Sequence, residues 1–133
     1  MQKFILKYSL PLCFFWTATI FVLCATPGQY IPSADWLELL SFDKFVHAII
    51  FFVLATLAFV NVIKKQHGPG VLFIFWLLCV CYGALLEFMQ ATCFSNRSAD
   101  WKDIAANTFG CCLALFLIKK IRKLTSTTGQ RIS

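Results

Sequence analysis

The sequence predicts an all-α membrane protein: four transmembrane helices in an antiparallel bundle, with both termini inside. Three observations carry that prediction. Hydrophobic residue types fill 59% of the 133 residues and charged types only 14%, against about 25% charged in an ordinary soluble domain. Mean hydropathy is +0.75. Apolar stretches close to span length recur four times, separated mostly by short connections. A soluble fold this small leaves much of its surface wet, so the composition excludes a soluble enzyme and a disordered chain.

A span needs about 20 mostly apolar residues. Residues 8–26 and 45–63 each supply 19 without a charge, the second with His47 and Asn61 inside it. Residues 71–86 give 16 before Glu87 interrupts, and the pattern resumes to Gln90. Residues 104–118 give 15, preceded by Asp100 and Asp103. The predicted helices are therefore 8–26, 45–63, 71–90 and 103–121, within one domain over residues 1–124. Residues 125–133 read as a polar cytoplasmic tail.

Lys3 and Lys7 precede the first span as they would in a signal peptide. The apolar stretch exceeds the usual signal length, however, and no small-x-small site stands near Cys24-Ala25-Thr26, so the segment is expected to stay as a helix. The one long external connection, residues 27–41, opens with Pro27-Gly28. Its Ser33 is suited to cap a short interfacial helix carrying Trp36. Trp101 fits the same aromatic belt.

Orientation follows from the Lys and Arg residues of the short loops. With the N-terminus inside, nine of the twelve face inward: Lys3, Lys7, Lys64, Lys65 and the tail cluster from Lys119 to Arg131. Only Lys44, Arg97 and Lys102 face outward. The inward charge suits anionic lipid headgroups. No aromatic residues interleave the basic tail, so nucleic acid is not an expected partner.

Antiparallel helices bring the start of the second helix, the end of the third and the start of the fourth to one face. Asp43, Lys44 and His47 open the second, with Asp43 and His47 at i, i+4. Glu87 and Gln90 close the third at i, i+3. Asp100, Asp103 and Asn107 open the fourth on one side, after Arg97 and Ser98 in the turn. Asp43, Asp100 and Asp103 also suit helix N-termini through the dipole. Glu87 does not, because it sits near a C-terminus among Leu85, Leu86, Phe88 and Met89. An ionisable residue at that depth points to function with a partner. Asn107 also suits a hydrogen bond to a neighbouring helix. Gly83, and Gly110 with Ala114, permit close helix approach. His67 is a loop residue without an assigned role.

The seven cysteines form no CxxC pair. Five lie in apolar spans, where Cys behaves as a small hydrophobe, and Cys24 and Cys93 fall near the outer face.

Three blocks carry a resemblance: Asp43-Lys44-x-x-His47-x-x-x-Phe51, Gly83-x-x-x-Glu87-x-x-Gln90, and Arg97-x-x-Asp100-x-x-Asp103-x-x-x-Asn107-x-x-Gly110. In this order they resemble the VanZ-like family of small bacterial membrane proteins, over residues 43–110. The resemblance implies a multi-pass protein of the bacterial cytoplasmic (inner) membrane with a role at the cell envelope. It also implies a relation to glycopeptide (teicoplanin) resistance and these motif residues as the site. It implies no reaction. Phe94-Ser95-Asn96 replaces a Pro-Gly turn common in the family, and Ala114 stands where a second glycine is common.

Three functions compete at this stage. The first is binding of an anionic lipid, lipid-linked envelope precursor or lipoglycopeptide, with Lys44 and Arg97 on the anion; Asp43, Gln90, Ser98 and Asn107 are the further binding candidates. The second is a hydrolase or transferase acting on a lipid headgroup, with His47, Glu87, Asp100 and Asp103 as catalytic candidates. His47 with the carboxylates also suits a divalent metal, but the sequence decides no cofactor. The third is a structural protein whose polar cluster pins helix ends together. Oligomerisation stays open in all three.

Overall fold

The computed structural model describes residues 2–26, 42–93 and 100–129, and among them every regular element is a helix. The elements are α1 (Gln2–Ala25), α2 (Phe42–Lys64), α3 (Pro69–Thr92), α4 (Trp101–Phe116) and α5 (Ile118–Gly129). The external segment carrying Ser33 and Trp36, the Arg97-Ser98 turn and the last four residues lie outside the described residues.

α1 is longer than its apolar stretch and bends. Tyr8 leaves helical geometry (φ −106°, ψ 16°) three residues before Pro11. Proline has no N–H to give the carbonyl four residues back, and its ring crowds that carbonyl, so the helix yields one turn upstream. On both sides of the bend α1 is stitched to the end of α2. The Ser9 hydroxyl donates to Asn61 Oδ1 at 2.8 Å, and Lys64 Nζ donates to the Leu6 carbonyl at 2.9 Å. Farther along, the Trp16 indole donates to the Ile50 carbonyl at 3.0 Å, and the Tyr82 hydroxyl to the Thr17 carbonyl at 2.8 Å.

α2 ends in a Schellman turn. The His67 amide donates to Val62 and the Gln66 amide to Ile63, at 3.2 and 2.9 Å. The pattern requires a left-handed residue at Gln66, whose φ is 56°, a position glycine usually fills. Gly68 then leads into Pro69, which opens α3 where its missing N–H costs nothing.

α2 is the central helix. It packs against all four others, most extensively against α4, and supplies Phe51, Ala55, Phe59 and Val62 to the core, each at most 1% exposed. The α2–α4 contact is close because Gly110 lets it be. A Cβ there would stand 2.9 Å from the Ala48 carbonyl carbon, 3.0 Å from the Phe52 amide nitrogen, and would collide with the Ala48 oxygen. Cys111 and Ala114, on the same side of α4, are fully buried, and the Cys111 thiol points at the Phe51 carbonyl, 4.0 Å away.

Outward, the helices carry large apolar side chains: Phe14, Phe15, Phe88 and Phe116 are each at least 65% exposed. Three helices, α1 to α3, are long and apolar enough to cross a membrane. A chain with such an exterior is membrane-embedded, since water would not tolerate it.

The fourth expected helix differs most from its expectation. Instead of running unbroken over 103–121, it starts at Trp101 and is interrupted at Leu117, whose amide turns back to the Ala114 carbonyl. α4 alone has 16 residues, about 24 Å of rise. The chain then continues as α5 through Gly129, into the expected polar tail. Extending an existing helix costs far less than starting one, so polar residues beyond Lys123 stay helical. All seven cysteines are free thiols, Cys24 buried and Cys93 exposed.

Candidate functional site

The side-chain contacts fix the directions of the helices. His47 meets Asn107 and Phe51 meets Cys111, so α2 and α4 run parallel; Ser9 meets Asn61 and Trp16 meets Ile50, so α1 opposes α2. Glu87 near the end of α3 meets Asp100 at the start of α4. The N-terminal ends of α2 and α4 and the C-terminal end of α3 therefore share one end of the bundle.

At that end Asp100 caps α4. Its backbone is extended (φ −121°, ψ 118°), and Oδ1 accepts from the Lys102 amide at 2.9 Å. That amide bond, the largest influence, holds the Asp100 carboxyl below the usual carboxylate range; desolvation opposes it, and the Lys44 ammonium adds to the lowering. Lys44 reaches across from α2, with Nζ 3.2 Å from Asp100 Oδ2 and 3.3 Å from Asp103 Oδ1. Asp103 lies one turn deeper, 7% exposed; its Oδ1 faces Lys44 as an ion pair without hydrogen-bond alignment.

Glu87 is 1% exposed, and its Oε2 stands 3.4 Å from the Asp100 amide nitrogen, which donates to it. His47, Glu87 and Asp103 come from three different helices, and one ligand atom from each lies within 4.8 Å of the others. The His47 ring is oriented from below. Its Nδ1 lies 3.1 Å from Asn107 Oδ1, an atom that only accepts, so Nδ1 is the donor in this contact. Asn107 is itself 2% exposed. Its position depends on Gly83, where a Cβ would stand 3.2 Å from both Asn107 Cβ and Nδ2, and 3.1 Å from the Phe51 ring.

Of the sequence-expected residues, the structure brings together His47, Glu87, Asp103, Asn107, Lys44 and Asp100. Gln90, buried one turn beyond Glu87, gives its amide to the Cys24 carbonyl at 3.3 Å and thereby ties the C-terminal ends of α1 and α3. Asp43 lies in the first turn of α2, its side chain outside the described residues, as are Arg97 and Ser98. The sequence gives no sign of Cys24 as a contact of the site's rim, because its part is played by a backbone carbonyl.

A crevice of about 250 Å³ lies at the other end, between α1, α2 and α3, near Lys65 and His67. Its walls are mostly apolar, and among its polar lining residues Asn61 is already bonded to Ser9 and Leu57 and Thr17 to the Cys13 carbonyl. The buried carboxyls are at the His47 end.

The VanZ/LLP1 family model matches residues 4–123. No curated protein and no solved structure matches the chain significantly.

Proposed function

The chain belongs to the VanZ/LLP1 family, and from that premise we propose that it binds the anionic headgroup of an envelope lipid or lipid-linked precursor at the His47 end. The observation that carries the reading is the burial of Glu87 and Asp103 beside His47 at one end of an otherwise apolar bundle. Desolvating ionisable groups costs several kcal/mol apiece. Three helices that only needed to pack would not hold two carboxyls there.

In this reading the protein is a multi-pass protein of the bacterial inner membrane, with both termini cytoplasmic. α4 and the first turn of α5 make the fourth span, and the polar end faces outward. The inward bias of Lys and Arg supports that orientation. Lys44 stands at the mouth with its side chain 31% exposed, where it meets an arriving phosphate or carboxylate; Arg97, close to Asp100 in sequence, is the second cation assigned to the anion. Relation to teicoplanin resistance follows from the same site if a lipoglycopeptide or its lipid-linked target is what binds.

A second reading, a hydrolase or transferase on the same headgroup, is favoured by the proximity of His47 to two carboxylates. In this reading His47, whose Nδ1 is bonded to Asn107, is the residue assigned as general base.

The test is lipid mass spectrometry of purified wild type, Glu87→Ala and Arg97→Ala in matched detergent. Binding predicts one anionic lipid retained by wild type and lost from both variants. A lipid missing its headgroup in wild type alone moves the assignment to catalysis, and identical lipid profiles in all three refute both.

A further inference from the structure

From the same geometry we infer that His47, Glu87 and Asp103 form a site for a first-row divalent cation, of the Mn²⁺ or Zn²⁺ class. The inference deepens the headgroup reading and rests on it for the anion, though not for the ion.

The three groups are of mixed chemistry, one imidazole and two carboxylates, a donor set that suits these cations. They arrive from α2, α3 and α4, so no single helix end accounts for their meeting. Two ligands of one such ion stand about 3–4.4 Å apart, given bonds of 2.0–2.2 Å. The observed span of at most 4.8 Å is within reach of a small side-chain rotation. Glu87 and Asp103 are 1% and 7% exposed, so an ion between them would be shielded from bulk water.

The Asn107 carbonyl supplies the outer support that metal-bound histidines usually have. It accepts a hydrogen bond from Nδ1 at 3.1 Å, so in the neutral ring Nε2 is the nitrogen that would ligate an ion. Asn107 is in turn held against Gly83, where any side chain would crowd it. Lys44 shares Asp103 with the ion and keeps Asp100 as its second partner. Three protein ligands leave coordination positions open, as in catalytic rather than structural metal sites, and a phosphate oxygen of a headgroup suits them.

The experiment uses the full-length, delipidated protein in detergent, stripped with a chelator and titrated with Mn²⁺ alone. Electron paramagnetic resonance counts the bound ion, and electron spin-echo modulation detects an imidazole nitrogen on it. The expected result is one Mn²⁺ per chain with a nitrogen coupling. That coupling is lost in His47→Gln, affinity falls at least tenfold in Asp103→Asn, and both are unchanged in His67→Ala. Because the nitrogen signature is read on wild type, the result does not depend on the variants folding. Failure to bind Mn²⁺, or binding without a nitrogen coupling, overturns the site. Loss of the coupling in His67→Ala instead of His47→Gln overturns it as well. A failed metal titration alongside positive lipid profiles removes the ion and leaves the headgroup reading standing; the reverse pattern removes the headgroup reading and leaves the ion.

Discussion

Gly110→Ala adds one methyl group at the closest point between α2 and α4. The new Cβ would stand 2.9 Å from the Ala48 carbonyl carbon and 3.0 Å from the Phe52 amide nitrogen, both backbone atoms that no rotamer change can move. Ordinary contact requires about 3.5 Å or more, so the helices must part by roughly 1 Å. Overpacking against a fixed neighbour costs up to about 3 kcal/mol. Alanine is a better helix former than glycine by about 1 kcal/mol, so the net loss is about 2 kcal/mol. The same displacement reaches the site, because Ala48 follows His47. A His47–Asn107 bond of 3.1 Å stretched by roughly 1 Å is no longer a hydrogen bond. Reversible unfolding in mixed micelles measures the first effect, and loss of the retained lipid the second. Gly70→Ala is the control: nothing stands within 4 Å of a Cβ there, and that variant should be neutral or slightly stabilised. A Gly110→Ala protein as stable as wild type, retaining its lipid, would refute the close-contact argument.

Gln66→Gly should stabilise the protein by about 0.5–1 kcal/mol: Gln66 occupies a left-handed position at φ 56° that costs a side chain about 1–2 kcal/mol, and the extra chain entropy of glycine returns about 0.5–1 kcal/mol of it; an unchanged unfolding midpoint counts against the Schellman assignment. Ser9→Ala removes the bond to Asn61 and should cost about 1–2 kcal/mol, read in the same unfolding assay. Asp100→Asn should lower the melting temperature at neutral pH. The Asp100 carboxyl titrates below its ordinary value in the folded chain, so its stabilisation is present above that ordinary value and fades as pH falls through the lowered one. The gap between wild type and variant should therefore close in acid, and a gap independent of pH would mean that charge plays no part in the cap.

How much of this was legible in the residues differs from element to element. The meeting of His47, Glu87 and Asp103 follows from two periodicities and from helices that alternate direction, and both are written in the sequence. The orientation of His47 is not, because it depends on one rotamer of Asn107 and on the space left at Gly83. The Tyr8 bend was available in principle from Pro11, whose effect falls a turn upstream of itself. The break at Leu117 has no comparable marker: no glycine or proline stands there, and we have no sequence-level account of it. The ties between α1 and the rest use the carbonyls of Leu6, Thr17, Cys24 and Ile50, and a carbonyl is the same in every residue. That α2 is central rather than one of four equals was equally hidden, since apolar content is similar along the first three spans and the closeness of α2 to α4 depends on the fit at Gly110.

That pairing has a consequence for how the chain is made. α2 finds its most extensive partner in α4, and the two are separated by the whole of α3, so α2 leaves the ribosome well before the surface that will cover it. Until residues 101–116 are synthesised, the groove around Ala48 is open and His47 lacks Asn107. The polar end therefore comes into being only when α4 docks. A nascent chain that stalls within α3 would lack the α4 partners of Lys44 and His47. Release of the fourth helix from the ribosome thus doubles as the moment at which the protein acquires its site.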